Sequence, residues 1–210
     1  MDGSIVSFNP TNKDHIEAIA YLHENLLPDS LVTGLGRYFM EHYYYSVLPK
    51  MGLIKCDLFI VEGKYIGLSV YTLFPFDFMA QGFKKGFPTL ILSLFVAILL
   101  KPTRIMIIID VLREGKKRKS PVNNNKMGEL LSLAFLPLYN RTQDIESKLR
   151  ISDAFYNKAI EYLKANGCEE VQASVKKSNK IALRFHQRHR AVIDEEASSS
   201  SSSYRLIRKL

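Results

Sequence analysis

The most chemically suggestive stretch of this chain is a strand, a helix and a strand in succession, Glu129 to Val175. A connection of this kind between parallel strands is right-handed and brings the helix start, signalled by Ser152-Asp153, to the edge of the pair. Backbone N–H groups converge there at the positive end of the helix dipole, so the chemistry on offer is capture of a phosphate-bearing ligand. A second grouping, the loop Arg113-Glu114-Gly115-Lys116-Lys117-Arg118-Lys119, resembles a nucleic-acid patch by charge alone. No aromatic residue interleaves it and no RNA- or DNA-binding motif accompanies it, so it reads as a solvated loop, and no nucleic-acid partner is expected. Cys56 and Cys168 match no metal-ligand spacing and are too few for a disulfide framework. No metal and a reducing, cytoplasmic compartment are therefore expected, in keeping with a start, Met1 to Ser4, that lacks the basic and apolar runs of a secretory signal.

The elements that must position these residues belong to one domain spanning residues 1–210. A chain of 210 residues with 47% hydrophobic content buries roughly 70% of its unfolded surface without staples. The formal charge of +8 admits nucleic acid, a membrane surface or a phosphorylated small molecule as partner. Thr11-Asn12-Lys13-Asp14 begins a helix that Pro28 stops, and a second helix is expected from Leu31 to Val47 on the stripe Leu31, Leu35, Phe39 and Tyr43. Cys56 to Val61 and Tyr65 to Thr72, separated by Glu62-Gly63-Lys64, read as a β-hairpin. A strand at Glu129 to Leu136, a helix ending at Asn166-Gly167, a strand at Glu170 to Val175, a helix opening near Asn179 and two short strands follow. The order predicts an α/β fold, a mixed central sheet flanked by helices.

Between the hairpin and the Glu129 strand lies a long insertion, residues 73–128, which must contain helices of its own because structureless loops of such length are rare. Its apolar run Phe87 to Leu100 would reach only about 21 Å as a helix, against roughly 30 Å of bilayer hydrocarbon. The run reads first as a buried or groove-lining helix. A membrane contact through residues 87–100 as an interfacial helix is the less favoured reading.

With those residues in place the chain resembles the GNAT superfamily of N-acetyltransferases. Ala134-Phe135-Leu136-Pro137 is similar to the end of that family's cofactor strand, and Asn179-Lys180-Ile181-Ala182-Leu183-Arg184-Phe185-His186 is similar to the first half of its last motif. The resemblance covers Glu129 to Leu210, and the earlier elements in order only. It implies a GNAT-like sheet, acetyl-CoA as acyl donor and an amine of a small molecule or sugar as acceptor. The oligomeric state is left open.

The resemblance also assigns residues. Backbone N–H groups near Phe135 and Leu136 would polarise the thioester carbonyl. Glu129 would begin a proton relay, and His186, standing where the family has a tyrosine, would act as acid toward the leaving thiolate. Asn179 and Phe185 would touch cofactor. The glycine-rich pyrophosphate loop of the family has no glycines here under either of two alignments. One leads with Arg141 and sets Asp144 and Glu146 in the glycine positions. The other, preferred because it keeps the distance to Gly167, sets Arg150-Ile151-Ser152 there, with Lys148 and Arg150 as cations at the helix start. Two alternatives stand beside the acyltransferase: a GNAT-fold binding module whose catalysis has lapsed, and a peripheral membrane protein docking through the insertion.

Overall fold

Strands whose two faces are both apolar must be covered on both sides, and Leu58, Leu68 and Val70 are buried on one face of the hairpin while Phe59 and Tyr71 are buried on the other. The computed structural model describes residues 3–109, 126–136, 145–199 and 202–210. It forms a seven-stranded sheet of β1 (Gly3–Ser7), β2 (Lys55–Val61), β3 (Lys64–Thr72), β4 (Met127–Phe135), β5 (Glu170–Lys176), β6 (Val192–Asp194) and β7 (Ser203–Lys209), in the order β1-β2-β3-β4-β5-β7-β6. Only β4 and β5 run parallel; the other neighbours are antiparallel. The hairpin turn is as tight as its sequence suggests: Val61 pairs with Lys64, and Glu62 and Gly63 both take positive φ (49° and 74°), the combination a two-residue turn of the right twist requires.

One face carries α1 (Lys13–Leu26), α2 (Leu31–Leu35), α3 (Arg37–Phe39) and α4 (Val47–Lys50), followed by α5 (Phe78–Lys85) and α6 (Phe87–Leu100) of the insertion and a helical segment at 104–109. Ile19, Leu22, Phe39, Leu48, Leu58 and Leu68 fuse there into the main core. The other face carries α7 (Ile145–Ala165) and α8 (Lys180–Arg188), where Tyr156 and Leu163 of α7 pack with Tyr71, Leu130 and Val171 of the sheet. A short α9 (Glu195–Ser198) connects β6 to β7.

The structure corrects several sequence expectations. The first helix is capped by Asn12, whose Oδ1 accepts from the Asp14 and His15 amides, because Thr11 is occupied with Asn9. The single helix expected from Leu31 to Val47 is broken at Gly36, where φ is +93°. It then passes through a π-helical turn, Met40–Tyr44. A π turn shifts the side-chain period, which lets the consecutive tyrosines Tyr43, Tyr44 and Tyr45 all be buried instead of alternating between core and solvent. β1 was not expected. The helix read as starting at Ser152-Asp153 begins at Ile145. The Phe87 to Leu100 helix is buried on one side only: Leu90, Ser93 and Ala97 are buried and Leu94 packs on the main core, while Phe87, Ile91, Leu92, Phe95, Leu99 and Leu100 are exposed.

Candidate functional site

The sheet opens in its middle. β4 and β5 pair only from Met127 to Leu130 and from Glu170 to Ala173. Beyond that point β4 stays with β3 to Phe135, while Ser174 to Lys176 stay with β7. The result is a wedge-shaped gap between two strands that began as neighbours. β4 also shifts register between Leu130 and Ser132, a bulge that bends the strand at the apex of the gap.

Which amides face the gap follows from strand geometry. Leu136 N–H donates to the Ile66 carbonyl at 2.8 Å, toward β3. Successive residues point their backbone groups to opposite sides of a strand, so Leu133 and Phe135 turn theirs away from β3 and into the gap. Of the two amides expected to meet a thioester, Phe135 therefore faces the gap and Leu136 does not, while Leu133 faces it as well. The Phe135 ring lies edge-on to Phe155, 5.3 Å between centroids, and anchors the strand end against α7.

Glu129 sits at the closed end of the gap and is 4% exposed. That burial excludes a solvated strand-end carboxylate. The side chain shares a sheet face with Gln172, its register partner on β5, and with Tyr44, whose hydroxyl burial and the neighbouring Cys56 thiol and Glu129 carboxyl push well above the usual phenol range. Gln172 is itself buried, and its Oε1 has no hydrogen-bond partner among the described residues. Arg205 reaches over the same face to the Met127 sulfur at 3.7 Å and lies 5.6 Å from the Phe76 ring. Sequence reading overlooked Gln172, Arg205 and Leu133; the alternation of β5 and β7 beside Glu129 was the available signal for the first two.

His186 lies on the opposite face, at the base of α8, 7% exposed and packed at 5.9 Å against the Tyr156 ring. Burial, with His189 close by, pushes its pKa down to about 4. With its pKa lowered the imidazole is neutral near pH 7, and its remaining N–H is a weak acid, which counts against the general-acid role. Around it Leu130, Tyr156, Leu206 and Arg208 leave a cleft too narrow for a water molecule. Phe185 is stacked on His189, 4.6 Å away. Asn179 caps α8, its Oδ1 accepting from the Ala182 amide at 3.0 Å. Arg188 donates to Asp153 at 2.6 Å and His189 lies 3.1 Å from the same carboxylate, locking α8 to α7.

The early start of α7 changes the cofactor-loop assignment. Only the first four amides of a helix are free, and Arg150, Ile151 and Ser152 are the sixth, seventh and eighth residues of α7. Their N–H groups are spent within the helix, so this tripeptide cannot cradle a pyrophosphate with its backbone. Ile151 packs instead toward Phe59, Val61 and Phe155. Arg141 and Asp144, which the other alignment uses, lie outside the described residues, as do the side chains of Glu146, Lys148 and Arg150 and the basic loop at 113–119.

No protein-family model and no curated relative matches the sequence. Solved structures do match. PaiA N-acetyltransferase of Thermoplasma acidophilum, in complex with coenzyme A, is 12% identical, aligned over 100% of both chains with a TM-score of 0.54. An acetyltransferase of the GNAT family from Streptococcus pneumoniae is 16% identical over 100% of this chain and 99% of its own, also at 0.54.

The chain has the GNAT fold.

The Campylobacter jejuni N-acetyltransferase PseH, in complex with acetyl coenzyme A, shares that fold at 15% identity, with 99% of this chain and 98% of the other aligned and a TM-score of 0.51. The GNAT fold accounts for the sheet order and the two helices over β4 and β5. Here it accommodates α5, α6 and the 104–109 helix between β3 and β4.

Proposed function

We propose that this protein is an N-acyltransferase that takes its acyl group from acetyl-CoA and delivers it to an amine of a small molecule or sugar. The observation that carries the reading is the gap between β4 and β5, into which Leu133 and Phe135 direct backbone groups that have no strand partner among the described residues. An extended amide-bearing chain such as a pantetheine arm hydrogen-bonds to an open strand edge as an added strand does, so the residues present fit the group. Bound acetyl-CoA would supply an activated acyl carbon as its thioester. The Leu133 and Phe135 amides are placed to hold such a chain and polarise its carbonyl. Glu129, buried at the closed end on the face covered by α1 to α6, is placed to take a proton from the incoming ammonium, so that a neutral amine attacks. His186 contributes packing and not a proton.

The test is calorimetry and thermal melting with acetyl-CoA and longer acyl-CoAs, followed by thiol release with a panel of amines and aminosugars. Binding and turnover are expected; absence of binding by every acyl-CoA overturns the reading. A second reading, a GNAT-fold binding module without catalysis, is favoured by the neutral His186 and the glycine-free stretch 137–144. Acyl-CoA turnover by the wild-type chain eliminates it.

A further inference from the structure

The insertion that the acyl-transfer reading does not use carries most of the exposed large apolar side chains among the described residues. On α6, Leu90, Ser93 and Ala97 are buried and Leu94 packs against the main core, while Phe87, Ile91, Leu92, Phe95, Leu99 and Leu100 are exposed, Leu100 at 68%. The neighbouring 104–109 helix adds exposed Ile105 and Met106. A helix apolar around its whole circumference is ordinarily enclosed, and soluble monomers rarely expose a continuous patch of this kind. α6 has 14 residues, too short to cross a bilayer, and no helix among the described residues is long and apolar enough to do so. α5 meets α6 at 100°. At that corner Phe83 and Phe87 form an edge-to-face pair, 5.2 Å between centroids, beside exposed Lys84 and Lys85.

Charge identifies what covers this surface. No Asp or Glu occurs between Asp77 and Asp110, whereas Lys84, Lys85 and Lys101 are exposed at the two ends of α6. Arg104 is turned inward, donating to the Ala97 carbonyl at 3.2 Å. We infer that the outer face of α5, α6 and the 104–109 helix docks on a bilayer containing anionic lipid, the apolar side chains entering the headgroup boundary and the three lysines meeting lipid phosphates. A second copy of the chain fits less well, because a two-fold contact sets each patch against itself and brings like-charged lysine rims together, with no carboxylate on 78–109 to offset them.

Flotation of the full chain with phosphatidylcholine vesicles, with and without phosphatidylglycerol, tests this. Binding is expected to need phosphatidylglycerol and to weaken as salt is raised. Leu92→Glu and Phe95→Glu, both at solvent-facing positions, are expected to abolish binding with the melting temperature unchanged. Lys84→Gln, Lys85→Gln and Lys101→Gln together weaken partitioning on the order of a hundredfold, from roughly 1 kcal/mol per lysine at an anionic surface. Three outcomes overturn the inference: no binding by the wild type, binding by both glutamate variants equal to wild type, or a wild-type dimer in sedimentation velocity that these variants dissociate while vesicles are ignored. None depends on whether acetyl-CoA binds.

Discussion

Glu129 on β4 and Gln172 on β5 are register partners buried on the same face of the sheet, at the last stretch where the two strands still touch. That position joins a carboxylate to the apex of the gap without exposing it to bulk water. Glu129→Gln preserves shape and removes the proton acceptor; acyl transfer is expected to fall by about 10²–10⁴. Acetyl-CoA affinity by calorimetry should stay within a few-fold of wild type. Unchanged turnover would strip Glu129 of its role.

Asp57 is expected to be the most sensitive charge in the fold. It is 3% exposed, accepts from Lys158 Nζ at 2.6 Å and from the Tyr71 hydroxyl at 2.9 Å, and ties α7 to β2. Asp57→Ala leaves a lysine and a buried hydroxyl without their acceptor and should cost about 3 kcal/mol, read as a lowered urea midpoint at unchanged slope.

Acid should unfold the protein through two histidines. Burial pushes His23 and His186 both down to about 4, whereas in the unfolded chain each takes up its proton near pH 6.5. The unfolded state therefore binds more protons between those values. Stability is complete above pH 6.5 and falls as pH drops toward 4, by roughly 1.4 kcal/mol per pH unit for each histidine. Urea titrations across this range check the slope, and His186→Gln should halve it.

Gly67 faces Phe135 across β3 and β4, and a Cβ there would stand 2.4 Å from the Phe135 ring. Gly67→Ala must push the ring off Phe155 and is expected to cost about 1–3 kcal/mol. It should also weaken acetyl-CoA binding, since the displaced residue carries one of the gap-facing amides. A melting curve and a calorimetric titration together separate the two effects.

The hairpin, β4, β5 and α8 were legible because period-two and period-four apolar spacing and the Glu62-Gly63 turn state them locally. β1 was not, since in Gly3-Ser4-Ile5-Val6-Ser7 the strand formers Ile5 and Val6 are a run of two between Gly and Ser, and pairing with β2 holds the segment. The start of α7 was misread because Ser152-Asp153 has the composition of a cap, while Asp153 in fact serves Arg188 and His189 on the neighbouring helix. Glu129 was found from its place in a family pattern, but its burial depends on Tyr44 and Gln172, which are distant in sequence. Apolar composition alone marked α6 as a helix; which side met the core depended on where α3 and the π turn lay.

Separating β4 from β5 creates two strand edges in the interior of a sheet, where most proteins tolerate edges only at the margins. Unsatisfied edges recruit other strands, and this is how sheets aggregate. Here the stretch of β4 beyond its pairing with β5 runs from Leu131 to Phe135 and keeps its other edge paired to β3. An occupant of the gap would satisfy those edges, so the protein without one is expected to be the form that precipitates first on heating or storage.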